Sequence, residues 1–296
     1  MRIREIVVGT DGTPPGGAAV EWAVREAVRQ RARLRIVHAY DGGRHSANLD
    51  STCAAADEDR HLAEAVAADA ERTARAISPA VEVLADAMTG QPVPCLLDAA
   101  EYADLLVVGG RGRTGLAGLV SGTVGRHVIT EARCPVVVVH GRGDATAGPV
   151  VAGVDTTDTA DHVLGTAFAA AEDRGAELIV VHTYLPVAPL WGIDLPSSGV
   201  AGPDEDAIEH AHVEDLVSRW RGKYPRVPVR ILIRPGVAAP VLAGVSRDAR
   251  LIVVGNRGHG VLAGALLGST GAHLLHHAEC PVWIARQRVP SGDHRP

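Results

Sequence analysis

The apolar positions of this chain fall into two kinds of block. Ile3–Val8, Leu34–Ala39, Val81–Ala85, Leu105–Val108 and Val136–Val139 are short, near-continuous runs rich in Val, Ile and Leu. Their length and β-branching predict strands. Between them apolar residues recur three and four apart, as in Ala19, Ala23 and Ala27 with Val20, Val24 and Val28, which predicts a helix over Ala18–Arg29. Alanine-rich Ala54–Ile77, Pro92–Tyr102 (opened by Gly90) and Val124–Ala132 predict three more helices. The order is β-α-β-α-β-α-β-loop-α-β. Strands apolar on both faces imply a parallel sheet covered by helices. Right-handed crossovers make that a doubly wound α/β fold.

The whole pattern then occurs a second time. Leu105–Val139 recurs as Leu251–Ala285 at a constant offset of 146 residues, without a gap. Upstream, "IVVGTDG" (Ile6–Gly12) answers "VVAGVDT" (Val150–Thr156), and "LRIVHAY" (Leu34–Tyr40) answers "LIVVHTY" (Leu178–Tyr184). A period of this size is a duplicated domain rather than a solenoid repeat. The expected domains are 1–140 and 149–287, joined by the polar, glycine-rich Gly141–Gly148. The fold class is therefore α/β, with two tandem five-stranded parallel-sheet domains.

Both copies carry Gly-x-x-Gly, nine residues, then Gly and a hydroxyl residue: Gly109, Gly112, Gly122, Thr123 and Gly255, Gly258, Gly268, Ser269. A glycine loop between an apolar strand and a helix start lets backbone N–H groups close on an anion. Glycine there allows positive φ and removes a Cβ that would block phosphates. Each first strand runs into an aspartate, Asp11 or Asp155. In doubly wound sheets ligands bind beyond the carboxyl ends of strands where the winding reverses. A strand order of 3-2-1-4-5 makes the first and fourth strands neighbours, with the aspartate and the glycine loop on either side of that point.

Composition removes several other readings. A net charge of −6 and a pI near 6.1 leave no footprint for nucleic acid. Lys223 is the single lysine, so no lysine grips a phosphate in either loop. Four cysteines in a chain of this length are no disulfide framework; Cys134 and Cys280, at one repeat position, read as small buried residues. His38 and His182, also matched, read as hydrogen-bonded strand-end residues. The adjacent pair His276–His277 lacks metal-ligand spacing along a helix, and no metal site is expected. With no apolar stretch of membrane-spanning length and no leader-like start, the expectation is a soluble cytoplasmic protein.

The doubled glycine motif, with Val-Val-Gly before it, Cys-Pro-Val after it and an aspartate after strand one, resembles the ATP-binding branch of the universal stress protein family, twice over. The resemblance implies an adenine nucleotide alpha hydrolase-like fold of order 3-2-1-4-5 and one ATP site per domain, with or without Mg2+. Carried over residue by residue, it puts Gly9, Thr10, Asp11 and Ala39 around adenosine in the first half, and Gly153, Val154, Asp155 and Thr183 in the second. The strand-four ends correspond to Val108, Gly109, Val254 and Gly255. The ribose and phosphate positions correspond to Arg111, Gly112, Gly122, Thr123 and Val124, then Arg257, Gly258, Gly268, Ser269 and Thr270. Thr270 stands where many relatives carry valine.

Three functions fit such a chain. The first is an ATP-binding, nucleotide-dependent regulator of a stress response, with an unknown protein partner. The second is an ATP-consuming enzyme of the ATP-pyrophosphatase-like kind, and the third a nucleotide-free dimerisation module. Phosphoryl transfer needs a metal-holding acid and a phosphate-clamping cation, and neither loop offers an acid. No catalytic residue is expected, although slow hydrolysis is compatible with the motif. The apolar fifth strands, Val136–Val139 and Val282–Ala285, are expected at sheet edges, where intrachain pairing of the two domains, or a homodimer, would cover them.

Overall fold

The computed structural model describes residues 3–42, 52–110, 121–141, 143–157, 159–185, 203–256 and 267–286, with the side chains of 52–56, 121–123 and 203–205 left out of that description. The chain divides into two compact units, Met1–Asp144 with Gln287–Pro296, and Ala145–Arg286.

The first unit runs β1 (Glu5–Gly9), α1 (Pro14–Gln30), β2 (Arg33–Tyr40), α2 (Thr52–Ile77), β3 (Val83–Thr89), α3 (Pro92–Ala99), β4 (Leu105–Gly109), α4 (Ser121–Glu131) and β5 (Val136–Val139). Its strands are parallel and lie in the order β3-β2-β1-β4-β5. The second unit repeats this with β6 (Val150–Val154), α5 (Thr159–Arg174), β7 (Leu178–Tyr184), α6 (Pro203–Lys223), β8 (Val229–Pro235), α7 (Ala238–Val245), β9 (Leu251–Gly255), α8 (Ser269–His277) and β10 (Val282–Ala285). Here the parallel order is β8-β7-β6-β9-β10. The expected 3-2-1-4-5 order is thus present in each unit. Among the described residues no helix is long and apolar enough to cross a membrane.

The core of each unit is the sheet itself. Ile6, Val7 and Val8 of β1, Leu105 to Val107 of β4 and their counterparts Val150 to Ala152 and Leu251 to Val253 are at most 1% exposed. Burial on both faces is what the unbroken aliphatic runs encode, and each Val, Leu or Ile side chain among them contributes about 1.5–3 kcal/mol on leaving water. Helices α1 and α2 pack together over one face, and α3 with α4 over the other.

Element boundaries differ from the sequence reading where local chemistry overrides apolar periodicity. Helix α1 starts four residues earlier, at Pro14, because prolines at its first positions lose no helical hydrogen bond. Strand β3 occupies Val83–Thr89 rather than Val81–Ala85. As an edge strand it is only partly buried, so Asp86 and Thr89 interrupt its apolar signal; Asp86 instead pairs with Arg35 on β2 at 2.7 Å. Helix α3 stops at Ala99, short of Tyr102, with Ala100 as its C-cap. Helix α4 starts at Ser121, three residues before the expected Val124.

Candidate functional site

Strands β1 and β4 are register neighbours, Gly9 opposite Val108. The segment after β1 and the segment after β4 therefore leave the sheet side by side. Thr10 continues the ladder by one bond, its N–H donating to Val37 O at 3.0 Å. The chain then turns at Asp11, whose Oδ1 accepts the Thr13 N–H at 3.0 Å and the Thr13 hydroxyl at 2.5 Å. This Asx-type turn aims the start of α1 back across the sheet edge. With its hydroxyl committed to Asp11, Thr13 makes no side-chain cap to α1.

The same turn is built in the second unit. Asp155 Oδ1 accepts from Thr157 N–H at 3.1 Å, from its hydroxyl at 2.5 Å and from Thr159 Oγ1 at 3.4 Å. Asp155 is thus held by one more donor than Asp11. Behind each turn a histidine locks the strand end. His38 Nδ1 lies 2.9 Å from Thr10 O, and His182 Nδ1 lies 3.0 Å from Val154 O. A carbonyl only accepts, so Nδ1 carries the proton in both. His182 is 5% exposed and reaches Glu209 Oε2 with Nε2 at 3.2 Å. These histidines are structural, as their strand-end position suggested.

Each turn borders a cleft at the carboxyl edge of its sheet. In the first unit a cleft of about 170 Å3 gathers Gly9, Thr10, Asp11, Ala39, Val108, Gly109 and Val124. In the second a cleft of about 330 Å3 gathers Gly153, Val154, Asp155, Thr183, Val254, Gly255, Gly268, Ser269 and Thr270. Gly122 and Thr123 stand in the first turn of α4. Arg111, Gly112, Arg257 and Gly258 lie outside the described residues.

The glycines hold a surprise. Among the described residues, none of Gly109, Gly122, Gly255 and Gly268 has positive φ. At these four positions glycine is not needed for a left-handed conformation, while Gly112 and Gly258 lie outside the described residues. Gly109 and Gly255 close strands, Gly122 is helical, and Gly268 is the N-cap of α8 with φ −56°. What Gly109 supplies is space. A Cβ there would stand 2.5 Å from Pro15 O and 3.1 Å from Gly16 N. Its missing side chain lets the end of β4 abut the first turn of α1.

Leu96 and Leu242, from α3 and α7, close the clefts from the other side, and neither stands out in the sequence as a site residue. A Cβ on Gly9 would lie 2.8 Å from Leu96 Cδ2, and one on Gly153 would lie 2.7 Å from Leu242 Cδ1. Each leucine thus fills the space its glycine leaves. A signal does exist: Leu96 and Leu242 are matched by the repeat. The turns that lead into these helices are matched too. Gly90 (φ 143°) and Gly236 (φ 124°) each donate an N–H to a tyrosine carbonyl, of Tyr40 and Tyr184, at 2.8 Å. Here positive φ does require glycine.

The second cleft has an anion-ready wall. Gly268 caps α8 without any side-chain cap bond, and Ala272 N–H donates to Gly268 O at 3.0 Å. The N–H groups of Ser269, Thr270 and Gly271 come before that first helical bond and belong to residues lining the cleft. The helix dipole adds attraction for negative charge of roughly 0.3–1 kcal/mol. Lys223, the one lysine, is committed elsewhere: its Nζ lies 5.1 Å from the centre of the Trp220 ring, in an aromatic cluster with Phe168 and Tyr224. Cys134 and Cys280 are at most 1% exposed, as expected of small core residues. Cys95 is also buried, and burial, reinforced by the nearby Asp98 carboxylate, pushes its thiol pKa up.

Residues 2–140 and 147–286 each match the universal stress protein family, and the chain belongs to it. A universal stress protein of Mycobacterium tuberculosis is 30% identical over 292 residues, spanning 95% of this chain and 97% of its own length. One from Mycolicibacterium smegmatis is 28% identical over 299 residues, covering 96% and 97%. Among solved structures, a universal stress protein from Archaeoglobus fulgidus DSM 4304 superimposes with a TM-score of 0.71 at 17% identity. It covers 97% of this chain and 99% of that one, a likeness of fold.

Proposed function

We propose that each half of this universal stress protein binds one adenine nucleotide, ATP first among them, and that occupancy of the two clefts is the signal the protein transmits in a stress response. The observation that carries the reading is the repetition of one chemical arrangement. At the same sheet edge, each unit sets a threonine-braced aspartate, a glycine strand end and the beginning of a helix around a cleft.

The chemistry of these groups suits a nucleotide. Asp11 and Asp155 can accept hydrogen bonds from ribose hydroxyls or the adenine amine. Ala39 and Thr183 offer a small and a hydroxylated wall for the base. The N–H groups at the start of α8 suit phosphate oxygens. A cleft near 330 Å3 falls in the usual size range of ligand sites. The first cleft is smaller, and its phosphate-side loop, 111–120, lies outside the described residues. Mg2+, where present, would arrive on the nucleotide's own phosphates. Binding and release, rather than turnover, fit a site whose aspartates are tied to threonine hydroxyls.

The test is calorimetric titration of ATP, AMP and cyclic AMP into protein stripped of bound ligand. Two sites per chain are expected for wild type. Asp11→Ala and Asp155→Ala should each weaken one site by roughly ten- to more than a hundredfold, the worth of a charged hydrogen bond of about 1.5–3 kcal/mol. Stripped wild-type protein that takes up no adenine nucleotide would refute the reading.

A further inference from the structure

We propose that His273 and His277 form a two-imidazole site for a divalent transition metal of the Cu2+ and Ni2+ class on the C-terminal half of α8. The two residues are one helical turn apart and share a face. Their ring centres are 4.2 Å apart, with planes inclined by 31°. His276, the neighbour that the sequence makes conspicuous, meets His277 only edge-on at 6.4 Å. The effective pair is the i,i+4 one.

The separation selects the metal. A ring bound through nitrogen at about 2.0–2.1 Å has its centre about 3.2 Å from the ion. Two such rings 4.2 Å apart subtend roughly 80–85° at the ion, close to adjacent positions of a tetragonal or octahedral site. A tetrahedral ion would hold the rings wider. The side chains need only turn about their terminal torsions, which are soft, to aim one nitrogen each at the shared point.

The surroundings favour a cation. Among the described residues, no hydrogen bond or ion pair occupies the His273 or His277 ring. His276 and His277 lie in the last turn of α8, where the helix presents carbonyl groups and partial negative charge. Among the described residues no group of three or more His, Cys, Asp and Glu side chains converges. Water would complete the coordination, giving an open, exchangeable site rather than a closed structural one. In the first unit the matching positions are His127 and Glu131, so one two-imidazole site per chain is expected.

The experiment uses the full chain without an affinity tag, freed of metal with a chelator. CuCl2 and NiCl2 are titrated by calorimetry, and the Cu2+ sample is read by electron paramagnetic resonance for coupling to two nitrogens. His273→Gln and His277→Gln should each weaken the tightest step by about tenfold or more, because the second imidazole acts intramolecularly. They should also reduce the two-nitrogen signature. His276→Gln and His127→Gln should leave both readouts unchanged, which controls for the other histidines. A His273→Gln/His277→Gln double variant that folds with an unaltered circular dichroism spectrum and binds Cu2+ like wild type would overturn the proposal.

Discussion

Two glycines on the first cleft should respond to alanine with opposite signs. Gly109 ends β4, and its added methyl would meet main chain: Pro15 O at 2.5 Å and Pro15 C at 2.8 Å. Neither atom belongs to a flexible side chain, so the first turn of α1 must move away from β4. Overpacking of this kind costs about 1–3 kcal/mol. Gly125 lies in α4, lines the same cleft, and has no heavy atom within 4 Å of its would-be Cβ. Alanine there should strengthen the helix by up to about 1 kcal/mol, while its methyl projects into the space proposed for the nucleotide. Differential scanning calorimetry without ligand should therefore move the first unit's transition down for Gly109→Ala and up for Gly125→Ala, by roughly 2–4 °C per kcal/mol. ATP titration should then show weakened binding at the first site in both variants and an unchanged second site. The Gly125 variant separates the two effects, because it loses affinity while gaining stability. If Gly109→Ala is as stable as wild type, the packing account of that glycine fails. If Gly125→Ala binds both nucleotides normally, the ligand does not occupy the space beside α4.

Two further outcomes follow from the same geometry. Gly153→Ala places a methyl 2.7 Å from Leu242 Cδ1 and 3.0 Å from Val254 Cγ1, so urea unfolding should show a loss of about 1–2 kcal/mol; adding Leu242→Ala should recover part of it, and strictly additive losses would refute the pairing. The His273 pKa is lowered in the folded protein from its ordinary value near 6.5. Below that ordinary value the unfolded chain therefore binds more protons, so stability falls as pH drops through the folded pKa and is regained above 6.5. His273→Gln, measured with chelator present, should flatten the thermal-midpoint profile between pH 7.5 and 5; an identical slope in both proteins would count against it.

The duplication, the alternation of strand and helix and the parallel character of the sheets were legible from residues alone. Strands buried on both faces must be aliphatic throughout, and a repeat at constant offset shows itself without any coordinates. The aspartates that end each first strand were legible too, but their bonds to Thr13 and Thr157 came only from the structure, although the two-residue spacing that permits such a turn is local. Local chemistry also hid something in plain view, since His273 and His277 already had helical spacing while the adjacent histidines drew the eye.

What only the tertiary structure decided were the long-range reasons for particular residues. Gly9 is glycine because Leu96 comes down from α3, and Gly109 because β4 meets Pro15 at the start of α1. From sequence Gly109 opened a phosphate loop and Gly9 stood beside adenosine; the structure adds that neither has positive φ and that both make room for a neighbour. Residue patterns could suggest the strand order without dictating it, since parallel neighbours far apart in sequence pair through backbone groups that every residue carries. Asp86 and Thr89 extend β3 because an edge strand tolerates polar residues that a central strand would exclude. Sequence records which surfaces must leave water, but which surface each one meets depends on where the sheet brings distant segments together.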